Sequence, residues 1–299
     1  MLYRQPTNRE GLLIVRTPYL LTMPRQLRSR AVFSSPHSGS DYPTAFLNRT
    51  VLDPLAVRSS EDAFVDELFS SAPWAGAPLL AARYPRAYVD LNRSVDELDP
   101  ALISGASRQG ANPRVAAGLG VIPRVVGEGR SIQVGKITMV EAEERIRHAY
   151  SPYHDALDTL LKAQRARFGS AILFDCHSMP HDALSAAPLV RGRRPDVILG
   201  DRFGASCGHW LVDAAMAAFS AEGFAVARNA PFAGGYITQH YGRPSRSIHA
   251  LQIEIDRSLY MDERSVSRVP DFHLVAERIT RVVDSLSAIA DQAPSLAAE

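Results

Sequence analysis

Apolar and polar positions along the chain follow two periods, and the switches between them predict strands alternating with helices. Residues 31–33 are a short apolar run that breaks into Ser34-Ser-Pro-His37-Ser-Gly39, where Pro36 and Gly39 resist further pairing, so a strand should deliver His37 at its end. Asp53-Pro54 has the order of a helix cap followed by proline. Leu55, Phe64, Val65, Leu68 and Phe69 then supply the apolar face of a helix that runs to Pro73 and carries Glu61 and Asp62 within it. Residues 79–82 and 87–91 read as two further strands, the second releasing Asp90, Asn92 and Arg93 at its exit. Residues 94–137 are rich in Gly, Pro, Asn and Arg with little periodicity, which predicts a long functional loop with a short hairpin, able to cover a site.

Thr138-x-x-Glu141 is a capping box, after which Ile146, Tyr150, Tyr153, Leu157, Leu160, Leu161 and Phe168 recur at helical spacing, with Pro152 expected to kink or restart the helix. Residues 171–174 form a buried strand ending in Asp175-Cys176-His177. Residues 197–199 and 224–227 are strands on either side of an amphipathic helix through Trp210, Leu211, Ala214, Ala215 and Phe219. Glycines between Phe232 and Pro244 predict a hairpin or loop around residues 237–240. Residues 251–255 alternate, which sets Glu254 opposite Ile253 and Ile255, and a last helix begins near Phe272. The pattern is that of an α/β fold, whose sites gather at strand C-termini. No fixed repeat or linker divides it, so one domain is expected over 1–299, with 1–29 as an accessory segment (apolar runs at 12–15 and 19–23) and 291–299 as a frayed tail.

Composition narrows the partners. With 46% hydrophobic and 22% charged residues the chain has the make-up of a folded protein. The net charge of +1, without a basic block, gives no footprint for nucleic acid or a polybasic membrane contact, and points to small neutral or anionic molecules. All basic residues except Lys136 and Lys162 are arginine, so a single arginine carries little weight by itself. Two cysteines build no disulfide framework, and no run approaches membrane-spanning length; a cytoplasmic location is the expectation.

Two imidazoles and a carboxylate with a fourth position open are a common catalytic zinc arrangement, and His37, His177 and one of Glu61 or Asp62 would supply it. Either histidine alone reads first as a cap or a satisfied polar residue; the pair at comparable strand ends strengthens the metal reading. Met179-Pro180 argues against a helical His177-x-x-x-His181 site. A glutamate inside an apolar strand is costly unless paired or functional, so Glu254 is either a general base or the partner of an arginine. Asn92 and Arg93 suit a substrate carboxylate, and Arg86 a scissile carbonyl. Tyr236 and His240 either bond substrate or pack the hairpin. Cys176, pointing away from His177 by strand alternation, reads as a buried free thiol.

Seven ordered segments carry a resemblance: 34–39 around His37, Ser60-Glu61-Asp62-Ala-Phe-Val65, Arg86-Ala-Tyr-Val-Asp-Leu-Asn-Arg93, Glu97-Leu-Asp-Pro100, Gly118-Leu-Gly-Val-Ile-Pro-Arg124, Asp175-Cys-His-Ser-Met-Pro180 and Leu251-Gln-Ile-Glu254. Over roughly residues 30–285 the chain resembles the N-formylglutamate amidohydrolases (deformylases of histidine breakdown), in the zinc-carboxypeptidase and aspartoacylase-like clan. The resemblance implies a phosphorylase/hydrolase-like three-layer α/β fold, a mixed sheet flanked by helices. It implies one zinc ion on His37, His177 and Asp62 in preference to Glu61, a substrate carboxylate on Asn92 and Arg93, carbonyl assistance from Arg86, and Glu254 as base then acid. Clan peptidases place the first histidine and acid three apart, whereas Ser38-Gly39-Ser40 follow His37 here. The expected reaction is release of formate from N-formyl-L-glutamate by metal-activated water. Alternatives are a related N-acyl amino acid amidohydrolase or carboxypeptidase-like enzyme, and a non-catalytic amino-acid-binding descendant that holds no metal.

Overall fold

A seven-stranded mixed sheet forms the centre of the computed structural model, which describes residues 17–107 and 112–292. The strands are β1 (Tyr19–Thr22), β2 (Ala31–Ser35), β3 (Leu79–Ala82), β6 (Ala171–Met179), β7 (Val197–Gly200), β8 (Val226–Arg228) and β9 (Ile248–Asp256), with β4 (Ile103–Ser104) and β5 (Ile137–Thr138) paired apart from them. The order is β1-β3-β2-β6-β9-β7-β8; β3, β2, β6 and β9 are parallel, β1 runs against β3, and β7 runs against β9 and parallel to β8. β6 and β9 pair along their full lengths, and every residue of β6 is buried, as expected for a strand covered on both faces.

Strand alternation sorts the core into two halves. Phe33, Ile172, Phe174, Leu251, Ile253 and Ile255 pack with the helices Val65–Leu68, His209–Ala221 and Phe272–Gln292. Val32, Leu173 and Ala250 face the other way, toward Tyr153, Leu157 and Leu161 of the helix Ser151–Phe168 and Ile237 of the helix Tyr236–Tyr241. The layers are therefore helix, sheet, helix. The same parity turns Asp175, His177, Gln252 and Glu254 to one side, and Cys176 to the opposite core as a buried free thiol.

Several local expectations are corrected. Residues 53–73 do not form one helix: a 3₁₀ turn Ala56–Arg58 and the helix Val65–Leu68 are separated by a break containing Glu61 and Asp62. The Asp62 N–H donates to the His37 carbonyl (3.0 Å), and Phe64 is left-handed (φ 66°), so the backbone is committed to the neighbouring loop. Residues 87–91 are not a strand. The N–H groups of Tyr88 and Val89 turn back to the Pro85 carbonyl and that of Asp90 to Val121, leaving nothing for a ladder. The hairpin expected within 94–137 is replaced by the parallel contact of β4 with β5. The glycine-rich stretch holds the helix Tyr236–Tyr241 and no hairpin. His177 lies inside β6, which continues to Met179, and does not follow its end. A π-turn, Ile146–Tyr150, precedes the helix that Pro152 restarts. The apolar run at 12–15 and residues 293–299 lie outside the described residues. Among the described residues, no helix is long and apolar enough to cross a membrane.

Candidate active site

β2 ends at Ser35 and releases His37 into the edge of the sheet, where β6 carries His177 and the break before Val65 carries Asp62. All three are buried, with ligand-type atoms within 4.8 Å of one another. His37 Nδ1 is 3.1 Å from His177 Nδ1 and 3.4 Å from Asp62 Oδ2, and His177 Nδ1 is 3.0 Å from the same oxygen. Behind His37, Nε2 meets Asp90 Oδ1 at 2.8 Å, which leaves the Nδ1 lone pair facing the cluster. Behind His177, Asp175 Oδ2 lies 3.1 Å from Nε2. Asp62 is anchored by Arg257, whose Nη2 donates to Oδ1 at 2.9 Å.

This donor set fits a divalent cation. Two imidazole nitrogens and one carboxylate oxygen converge from separate elements, and each ligand is backed by a charged group. Among the described residues, the carboxylate of buried Asp175 has no partner other than the His177 imidazole. Four buried carboxylates, Asp62, Asp90, Asp175 and Glu254, are faced by the guanidiniums of Arg86, Arg93 and Arg257 and by the imidazole of His177, so a cation on the histidines would take the place of the proton that these acids otherwise hold on His177.

The same charges set the titration of the site. Burial works against ionised Asp62, but bonds with His177 and His37 and the charge of Arg257 outweigh it and hold the carboxyl well below the usual range. Burial likewise opposes a charged His177, yet Asp175, Asp62 and Glu254 raise it well above an ordinary histidine. Glu254 moves the other way: burial lifts it to about 7, against the pull of His177. A carboxyl poised there can take up and release a proton near neutrality.

A cleft of about 680 Å³ opens over these groups and is lined by Arg86, Asn92, Arg93, Glu254 and Arg257 among others. Glu254 sits directly across the β6–β9 pair from His177, and its Oε1 accepts from Gln252 Nε2 at 2.7 Å. Arg86 donates through Nε to Asp90 at 2.9 Å. Asn92 Nδ2 is 3.3 Å from His177 Nε2, while its Oδ1 accepts from the Ile237 N–H. Arg93 is nearly buried, bonded to the carbonyls of Leu119 and Asn92.

Three sequence candidates stand elsewhere. Glu61 turns from the cluster because Arg58 grips it with Nε and Nη2 and the Tyr42 hydroxyl donates to it. Tyr236 and His240 are outside the cleft lining; they stack on each other on their helix, with the Tyr236 hydroxyl 3.1 Å from His240 Nδ1. Sequence reasoning gave no role to Asp90, Asp175, Gln252, Arg257 or Arg114. For Asp175 the signal was present, since residues two apart on a strand share a face.

A family model described as N-formylglutamate amidohydrolase matches residues 29–261. The N-formylglutamate deformylase of Pseudomonas aeruginosa is 34% identical over 244 residues, covering 78% of this chain and 83% of that protein. That of Pseudomonas putida is 33% identical over 245 residues, covering 80% and 84%. The crystal structure of N-formylglutamate amidohydrolase from Ralstonia eutropha JMP134 aligns with a TM-score of 0.86 at 34% identity, over 93% of this chain and all of that one.

Proposed function

The chain belongs to the N-formylglutamate amidohydrolase family, and from that premise we propose that it hydrolyses N-formyl-L-glutamate to formate and L-glutamate with one divalent cation, in cytoplasmic histidine breakdown. The observation that carries the reading is the convergence of His37, His177 and Asp62 beside a glutamate held near neutrality. Those three side chains would hold the cation, and two imidazoles with one carboxylate favour zinc. When bound, it would supply Lewis acidity to the formyl carbonyl and make water in the cleft a better acid.

The chain's own groups divide the remaining work. Glu254 takes the proton of the attacking water and returns it to the departing amine nitrogen, a task for which a carboxyl near 7 is suited at neutral pH. Gln252, oriented by the Gly235 N–H on its Oε1, donates to Glu254 and fixes its position. Arg86 spends only Nε on Asp90 and directs its remaining donors to the oxygen on which charge develops. Asn92 and Arg93 bind the α-carboxylate next to the scissile bond.

Purified protein supplied with zinc is expected to release formate from N-formyl-L-glutamate. Glu254→Gln should keep one metal ion per chain while kcat falls by roughly 10²–10⁴-fold. Full turnover by that variant would remove Glu254 as the base, and a protein that takes up no metal when metal is plentiful would be a binder and no hydrolase.

A further inference from the structure

Among the described residues, three of the four arginines that line the cleft already have hydrogen-bond partners. Arg86 donates to Asp90, Arg257 to Asp62 and the Ser59 carbonyl, and Arg93 to the carbonyls of Leu119 and Asn92. Arg114 differs. It stands on the short helix Pro113–Ala116, where Asn112 Oδ1 accepts from the N–H groups of Arg114 and Val115, and Asn112 Nδ2 in turn donates to Glu97 at 3.2 Å. The backbone beneath Arg114 is thus anchored, while its guanidinium has no hydrogen-bond or ion-pair partner among the described residues. It is exposed, at the wall of the cleft. It is also close enough for its charge to be felt by Arg93, whose hold on its proton is weakened first by burial and then by Arg86 and Arg114, despite the opposing charges of Asp90 and Glu97. Guanidiniums that repel one another around a cavity are stabilised by an anion placed between them.

Resting on the reading above, we infer that Arg114 determines specificity by binding the side-chain carboxylate of the substrate, so that the site selects N-acyl amino acids with an acidic side chain. The division of labour follows from depth. The α-carboxylate is attached to the carbon that bears the scissile nitrogen and must lie near the metal cluster, where Arg93 sits 3.8 Å from Asp90, the group behind His37. The side-chain carboxylate lies beyond two further methylenes and reaches outward to the wall, where a guanidinium with no partner among the described residues offers a planar fork of donors. Specificity from this contact would be strong against a neutral side chain, because an unpaired guanidinium gains little from an amide.

The test compares zinc-loaded wild type and Arg114→Gln on N-formyl-L-glutamate and its neutral isostere N-formyl-L-glutamine. One charge-assisted contact corresponds to a fall in kcat/KM of about 10- to 100-fold on the acidic substrate, mostly through KM, with a change below about threefold on the neutral one. Arg114→Lys should recover part of the loss. Equal losses on both substrates would mark Arg114 as structural and overturn the assignment, as would an unchanged kcat/KM on the acidic substrate. Wild type inactive on both would instead sink the parent reading, and this assignment with it.

Discussion

At the residue scale, the cluster is decided by what stands behind each ligand. Glu61 and Asp62 are adjacent and chemically alike, and they lie in a break where neither the helical nor the strand period applies, so local sequence does not separate them. Tertiary partners do: Arg58 and Tyr42 take up Glu61, whereas Arg257 holds Asp62 toward the two imidazoles. His37, His177 and Glu254 were legible because a strand end and strand alternation fix where they point. Asp175, on the same face as His177, is expected to raise that imidazole's strength as a ligand. Asp175→Asn should weaken zinc binding by about 10–100-fold in competition with a chromophoric chelator. An unchanged dissociation constant would show that the buried carboxylate does not support the metal.

At the element scale, the strands and long helices were largely readable from their periods, and the misread pieces are those whose hydrogen bonds go to distant partners. The helix Tyr236–Tyr241 looked like a hairpin between glycines because the groups that receive its first N–H donors, Gln252 and Asn92, lie far away in sequence. Residues 87–91 look like a strand by composition, but their backbone is consumed by Pro85 and Val121. His154 ties these pieces together: Nε2 bonds the Leu91 carbonyl at 3.0 Å, so its N–H is there, and Nδ1 accepts from the Tyr241 hydroxyl at 2.9 Å. That neutral form is favoured by burial, which depresses its pKa to about 4. The unfolded chain, with an ordinary histidine, binds the proton first, so the stabilisation is complete above about 6.5 and is lost as pH falls toward 4. Full titration corresponds to about 3 kcal/mol. Urea midpoints should therefore fall between pH 7 and pH 5, and His154→Gln should flatten that fall; an equally steep dependence in the variant would assign it to other groups.

At the scale of the whole molecule, the α/β class was readable from alternating periods and its three layers from the family resemblance, while the charge balance at its centre was not, because it depends on which remote carboxylates are buried together. Among the described residues, four buried acids lie around two imidazoles and three guanidiniums where β2, β6 and β9 end, so the metal-free fold depends on a proton on His177 that a cation would replace. Metal should therefore stabilise the entire protein. Saturation at about one hundred times the dissociation constant adds about 2.7 kcal/mol, so removal by chelator should lower Tm by about 5 °C, reversibly on adding zinc. A Tm indifferent to chelation and to added zinc would argue that the cluster holds no cation.

The full-length pairing of β6 with β9 bears on how such an enzyme changes over time. His177 and Glu254 are cross-strand neighbours on two fully paired strands, so the proposed metal ligand and the proposed base share one register, and neither partner can drift without the other. The outer wall of the cleft is anchored by its backbone, with the Asp90 N–H on the Val121 carbonyl, but its exposed residues Arg114, Ala117, Glu128 and Gly129 stand outside the sheet, on turns between β4 and β5. Mutational libraries aimed at new acyl amino acids are best confined to those exposed positions, which leave the buried residues Val121 and Ile122 and the β6–β9 register untouched.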